Sequence, residues 1–336
     1  MGHTASEWTR RSFLQTAGTA LSVGVAGSRS AWGAAKITLK AGHDSPTTHP
    51  YQTGLNRFAE VLQQQTNGEI AVQTFPDAQL GNERDLTEGV RLGTIGVAVS
   101  SSAALSVFVK EMQVFNLPYI TRGRDHQHRV LAGLVGDTLA RELEAKAGGK
   151  IVGWFATSQR NVWNRVRPIE KPADLQGLKI RTRQSRVEIE TYNALGAKPT
   201  PIAFGELYTA LQTGVVDGGD NGVVDVLTLK FYEVTKYFSF TRHVTSPAAL
   251  FVSKRIFDTL SPAQRTAILE AGREAQVAEE KAQDELETRA LGELKAKGLI
   301  VNDIPDLRPF HEKVAPVYQK FETEIGKQLI DEMLKA

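Results

Sequence analysis

The stretch GLKIRTRQSRVEIETYNALGAKPTPIAFGELYTALQTGVVDGGDNG, residues Gly177 to Gly222, reads as strand, helix, short strand, helix and turn. Leu178-Lys179-Ile180-Arg181 has the length of a short strand and puts Arg181 at its carboxyl end, the edge at which open α/β sheets bind ligands. Glu206, Leu207, Ala210 and Leu211 recur at helical spacing, and Gly214 ends that helix. Asp217-Gly218-Gly219-Asp220-Asn221-Gly222 reads as a turn, because its glycines permit tight backbone paths. Asn221 adds an amide that both donates and accepts. A guanidinium facing such an amide suits a small carboxylate, and it is not a catalytic set.

The stretch is similar to the substrate-binding proteins of tripartite ATP-independent periplasmic (TRAP) transporters. The resemblance rests on Leu178 to Arg181, Leu195-Gly196-Ala197, Pro199, Pro201, Phe204, Glu206 and Tyr208-Thr209-Ala210-Leu211. It continues through Gly214-Val215-Val216-Asp217-Gly218, Lys230-Phe231-Tyr232-Glu233-Val234 and Lys236-Tyr237, so order and spacing hold over about 60 residues. What it implies is an α/β, two-lobe periplasmic-binding-protein fold (type II-like) with a ligand cleft between the lobes. It also implies Arg181 as the carboxylate clamp, Arg160 as a second arginine facing the ligand and Asn221 as a ligand contact. Asp44 and Ser101 align with first-lobe contact positions. Phe204 aligns with a pocket-lining phenylalanine, although a core role fits it as well. The chain departs from the family pattern at Trp163, where Thr or Ser is frequent, and at Gly219-Asp220, where Gln-Glu is common.

Outside this stretch, composition narrows the function classes. Hydrophobic residues make up 41% and charged residues 23%, as in an ordinary globular protein. The net charge is +2, but residues 1–35 hold Arg10, Arg11 and Arg29 against Glu7, so the remainder is balanced. A neutral chain gives no electrostatic case for nucleic acid or an anionic membrane. There is no cysteine, which removes disulfides, thiolate nucleophiles and cysteine metal ligands. Thr9-Arg10-Arg11-Ser12-Phe13-Leu14 and the mild apolar run to Ala26 resemble a twin-arginine export signal, with cleavage after Gly33 or Ala35. The expected location is the periplasm.

Along the chain, Lys36 to Ala41 reads as a first strand, followed by a loop carrying Asp44 and a helix bearing Tyr51, Leu55, Phe58 and Leu62 on one face. Ile70, Val72 and Thr74 alternate as a strand, a helix runs from about Asn82 to Leu92, and Thr94 to Val99 reads as a buried strand. This alternation predicts a largely parallel sheet. His126 to Ala147 reads as one helix and Ile151 to Phe155 as a strand. Crossings between lobes fall near Ala156 to Gln159 and near Thr245 to Ala248. Lobe I then comprises residues 36–158 plus 247–286, and lobe II residues 159–246 plus 287–336. From Ser261-Pro262 a long helix rich in Ala and Glu runs toward Lys297 and reads as a solvated brace. Phe310, Val314, Tyr318, Phe321 and Ile325 then follow at helical spacing.

No nucleophile elbow, zinc-helix motif, Walker loop or dinucleotide fingerprint occurs. Asp217 to Gly222 fails as a calcium loop, since Gly219 and Thr228 stand at ligand positions. His126 and His128 lack the carboxylates a metal site needs. Arg183 and Arg186 read best as a solvated face, with a second acidic group or hydroxyls on the ligand as the other reading. The expected function is capture of a small carboxylate, a sugar acid such as a uronate or aldonate or else a dicarboxylate, for delivery to the small and large TRAP membrane subunits. No cofactor is implied. A sensor module and a periplasmic enzyme acting on a carboxylate are the alternatives.

Overall fold

The computed structural model describes residues 35–336. The export signal expected at Thr9 to Ala26 lies outside them. The chain opens with β1 (Ile37–Gly42), α1 (Pro50–Gln65), β2 (Ile70–Phe75), α2 (Glu83–Leu92), β3 (Val97–Ser101) and α3 (Ser102–Leu105). Next come α4 (Arg124–Leu131), α5 (Leu134–Ala147), β4 (Gly149–Phe155), β5 (Arg160–Asn164), β6 (Lys179–Thr182), α6 (Arg186–Ala194) and β7 (Lys198–Pro201). These lead into α7 (Leu207–Gln212), β8 (Gly218–Asn221), α8 (Val223–Thr228), β9 (Tyr237–Val244), β10 (Ala248–Ser253) and α9 (Lys254–Phe257). The remainder is α10 (Pro262–Ala296), β11 (Ile300–Asp303), α11 (Arg308–Ile325) and α12 (Lys327–Lys335).

The strands form two sheets, ordered β2-β1-β3-β10-β4 and β11-β9-β5-β8-β6-β7. The chain passes from the first to the second between Phe155 and Arg160 and returns between Val244 and Ala248, at the expected crossings. Both sheets are mixed, which corrects the expectation of largely parallel pairing. β10 runs antiparallel to β3 and β4, and β5 runs antiparallel to β8 and β9. A strand that arrives directly from the other sheet enters at the edge where its neighbours end, so it must run against them. Parallel entry would require a crossover helix.

That connectivity builds the cleft. Gly42 and Ser101 end β1 and β3 on the same edge at which β10 begins, with Ala248 opposite Ser101 and Phe155. In the second sheet, Arg160 at the start of β5 lies opposite Val244, and Asn161 lies opposite Asn221 at the end of β8. The two edges that receive the crossings therefore face a common space.

The expected turn at Asp217 to Gly222 is instead the central strand β8. Its glycines serve close packing. A Cβ on Gly218 would stand 2.2 Å from the Trp163 carbonyl oxygen, and one on Gly219 would stand 2.9 Å from the Trp163 ring. The helix expected from His126 to Ala147 is two helices broken at Ala132-Gly133, and a Cβ on Gly136 would meet the Leu131 carbonyl oxygen at 1.9 Å. α10 spans both sheets as expected, but it is not solvated all round. Ala267, Ile268, Ala271 and Ala275 belong to the core beneath the first sheet, while Ala290 and Leu294 belong to that of the second. Between them Glu279 and Gln283 are also buried. The C-terminal helices return toward the first sheet's helices: Tyr318 donates to the Pro118 carbonyl at 2.7 Å, and His126 Nε2 meets the Met333 carbonyl at 3.0 Å.

Gly218→Ala should destabilise the protein by about 1–3 kcal/mol through overpacking, a loss of several degrees in thermal melting. Gly292→Ala, at an exposed position of α10 with open space around it, should hold or raise the melting temperature, since it removes a flexible residue worth about 0.5–1 kcal/mol.

Candidate functional site

A cavity of about 460 Å³ lies between the two sheet edges. Arg160, Arg181, Phe204 and Asn221 line it from the second sheet, and Asp44 and Ser101 from the first, so all six residues singled out in the sequence meet there. Thr157 and Ser246 line it from the two crossings, and Thr157 Oγ1 donates to the Ser246 carbonyl at 2.7 Å.

Three arginines reach this space, and their charges are handled differently. Arg160 Nε donates to Asp220 Oδ2 at 2.8 Å, and Nη2 donates to the Asp220 carbonyl. Behind this pair, His243 Nε2 lies 3.1 Å from Asp220 Oδ2, with Thr241 Oγ1 2.8 Å from His243 Nδ1. Burial alone would raise the Asp220 pKa, but the Arg160 charge and His243 outweigh it and hold the carboxyl well below its ordinary range. Arg183 donates through Nε to Glu188 Oε1 at 2.7 Å and through Nη1 to Ser246 Oγ at 3.1 Å.

Among the described residues Arg181 has no such partner. It is 3% exposed, and its hydrogen bond within the protein runs from Nε to the Ile202 carbonyl at 2.9 Å. Its guanidinium carbon sits 5.5 Å from the Phe204 ring centre, a cation–π arrangement that also fixes the ring at the cavity wall. Burial, together with the neighbouring Arg160 charge, brings its pKa down to about 10. It remains protonated at neutral pH, as a buried cation that lacks an anion.

Acceptors surround the rest of the cavity. Glu83, the first residue of α2, lines it and takes hydrogen bonds from the Ser101 amide and from Ser101 Oγ, the latter at 3.1 Å. Asp44 is buried beside it, and burial followed by the Glu83 charge pushes its carboxyl well above the ordinary range. Asp225, on α8, takes one bond from Asn221 Nδ2 at 3.0 Å and lies 3.2 Å from His49 Nε2. Because the Tyr51 amide donates to His49 Nδ1, the His49 proton sits on Nε2 and points at Asp225. The Asn221 amide oxygen is buried without a partner.

Two readings from the sequence divide here. Arg186 is exposed and paired with Glu324, as a solvated face requires. Arg183 is buried and lines the cavity, because its partner Glu188 is folded against it from the first turn of α6. Glu83 and Asp225 were missed. Glu83 follows the capping residue Asn82 and looks like any acid at a helix start. Asp225 offered one signal, a lone acid within Val223-Val224-Asp225-Val226-Leu227.

A family model described as bacterial extracellular solute-binding protein, family 7, matches residues 41–324. The chain belongs to this family. Family 7 solute-binding proteins serve TRAP transporters, capturing a solute in the periplasm for a membrane permease. Among the described residues, no helix is long and apolar enough to cross a membrane. This family 7 chain is similar to the 2,3-diketo-L-gulonate-binding periplasmic protein YiaO of Escherichia coli, at 34% identity over 82% of this chain and 84% of that one. It is similar in structure to a TRAP periplasmic solute-binding protein of Polaromonas sp. JS666 bound to D-erythronate, with TM-score 0.86 and 35% identity over 89% of this chain and 98% of that one. A succinate-bound relative from Sulfurospirillum deleyianum gives TM-score 0.85 and 28% identity over 89% and 98%.

Arg160→Met should cost the ligand-free protein about 3–5 kcal/mol, because Asp220 would be left buried and uncompensated. Arg181→Met should cost far less, and denaturant melts of the stripped proteins compare the two. A pH effect comes from His43, buried with Nδ1 accepting from the Ser45 amide and Nε2 3.0 Å from Gln52 Oε1. Burial lowers its pKa from 6.5 to about 4, so between those values the unfolded chain binds the extra proton. Stability should therefore fall by up to about 3 kcal/mol as pH drops from 6.5 to 4, and His43→Gln should flatten that slope.

Proposed function

We propose that the protein captures a small organic acid by closing a carboxylate onto Arg181 and delivers it to the small and large membrane subunits of a TRAP permease. The observation that carries this is the buried Arg181 guanidinium, which has no acidic partner among the described residues and lines a cavity between two lobes. A planar fork of this kind matches a carboxylate with two parallel hydrogen bonds. Charge-assisted bonds contribute about 1.5–3 kcal/mol each, so a bidentate pair supplies a large share of the roughly 8 kcal/mol that micromolar affinity requires.

In this reading Arg160 is held rigid by Asp220 and adds positive potential, Phe204 backs the clamp, and Asn221, Asp44 and Ser101 read the remainder of the ligand. The ligand class is a sugar acid, in keeping with the erythronate and diketogulonate bound by relatives. The lobes are residues 36–158 plus 247–286 and 159–246 plus 287–336, hinged at the two crossings, and α12 ties the end of the second back to α4. Export by the twin-arginine route through Thr9 to Leu14 belongs to the same proposal. Hinge closure would exclude water and strengthen the ion pair.

A thermal-shift screen of ligand-stripped protein against small carboxylates should give shifts of several degrees, since a ligand at 100 times its dissociation constant adds about 2.7 kcal/mol. Arg181→Ala should weaken binding of any hit by about 2–5 kcal/mol in calorimetry. Near wild-type affinity in that variant would rule out the clamp.

A further inference from the structure

The cleft's charges are lopsided in a way that bears on which acids it accepts. Of the three arginines lining it, Arg160 is paired with Asp220 and Arg183 with Glu188, which leaves Arg181 as the one cation without an ion-pair partner among the described lining residues. Lining the same cavity are the carboxyl groups of Asp44, Glu83 and Asp225. Glu83 is held in place by two bonds from Ser101, and no cation pairs with it among the described residues. Asp225 is fixed by Asn221 and His49, and both bonds leave its oxygens free lone pairs. The Asn221 oxygen adds a buried acceptor with nothing donating to it. These groups accept hydrogen bonds, and once water is excluded a ligand must carry donors to satisfy them.

Resting on the Arg181 clamp, we propose that this cleft selects polyhydroxylated monocarboxylates and rejects dicarboxylates, with Glu83 and Asp225 as the specificity-determining residues. The single carboxylate pairs with Arg181, and hydroxyl groups along the ligand donate to Glu83, Asp225 and the Asn221 oxygen. A second carboxylate has no second unpaired cation to meet among the described residues. It would be desolvated against the Glu83 and Asp225 carboxylates, with none of their lone pairs satisfied. The succinate held by one relative makes this a distinction within the family.

The test is calorimetry on the ligand-stripped chain with D-erythronate, D-galacturonate, succinate and the hydroxylated dicarboxylate D-glucarate. At least one of the two hydroxylated monocarboxylates should bind, with both dicarboxylates at least ~100-fold weaker, because a site built to pair hydroxyls penalises a ligand lacking them or adding charge. Glu83→Gln should weaken the monocarboxylate by roughly 10-fold or more and narrow the gap to D-glucarate. Asp225→Asn reads the same effect if Glu83→Gln folds poorly. A dicarboxylate within about 10-fold of the better monocarboxylate, or a gap unchanged in both variants, overturns the selectivity. If such dicarboxylate binding is still lost in Arg181→Ala, the clamp stands and the selectivity alone fails. If none of the four acids binds, both fail.

Discussion

The unequal neutralisation of three neighbouring arginines governs the cleft. Arg160 and Arg183 have anions built into the fold, and Arg181 has a carbonyl and an aromatic face. A buried cation without an anion is a standing cost in the empty protein, and a carboxylate bound beside it would remove that cost. The Asp220–His243–Thr241 chain behind Arg160 fixes that guanidinium in place and commits its Nε to Asp220. Burial and the neighbouring Arg160 act together on Arg181, and both make the arriving anion more welcome.

The sheets' topology converts these charges into a site. Each sheet presents to the cavity the edge at which the chain crosses, so residues at strand ends converge: Ser101 from β3, Arg181 near the end of β6, Asn221 from β8 and Arg160 at the start of β5. The crossings are also held from behind. Glu279 of α10 accepts from the Ala156 amide at 2.8 Å, and Gln283 donates to Ser158 Oγ at 2.8 Å. Burial pushes the Glu279 carboxyl well above its usual range. Arg183 reaches Ser246 on the return crossing, so ligand-facing and hinge-facing groups share partners.

Departures from the sequence reading have a common cause. Gly218 and Gly219 look like turn residues because glycine's local signal is backbone freedom, yet here their use is to let Trp163 pack against β8. α10 looks solvated because most of its surface is charged, but a thin seam of alanines and two polar side chains is buried along its length. Arg183 looks exposed because nothing in RTRQSR distinguishes it from Arg186. Only the position of Glu188, folded back from α6, separates them. In each case the local pattern was real, and the partner folded against it decided its meaning.

The sequence by itself determined most of the strand–helix order and the family to which the stretch around Arg181 belongs, because hydrophobic period, glycine and proline punctuation and motif spacing are local properties of the chain. It also brought forward Arg181, Arg160, Asn221, Phe204, Asp44 and Ser101, which line one cavity. The tertiary structure decided which arginine is left without an anion, that Glu83 and Asp225 join the cavity wall, and that the returning strands run antiparallel to their neighbours. Those are properties of pairing between residues far apart in the chain: Asp220 lies 60 residues from Arg160, and Asp225 lies 176 residues from His49. A charge's meaning depends on what is folded beside it, and no local pattern encodes that.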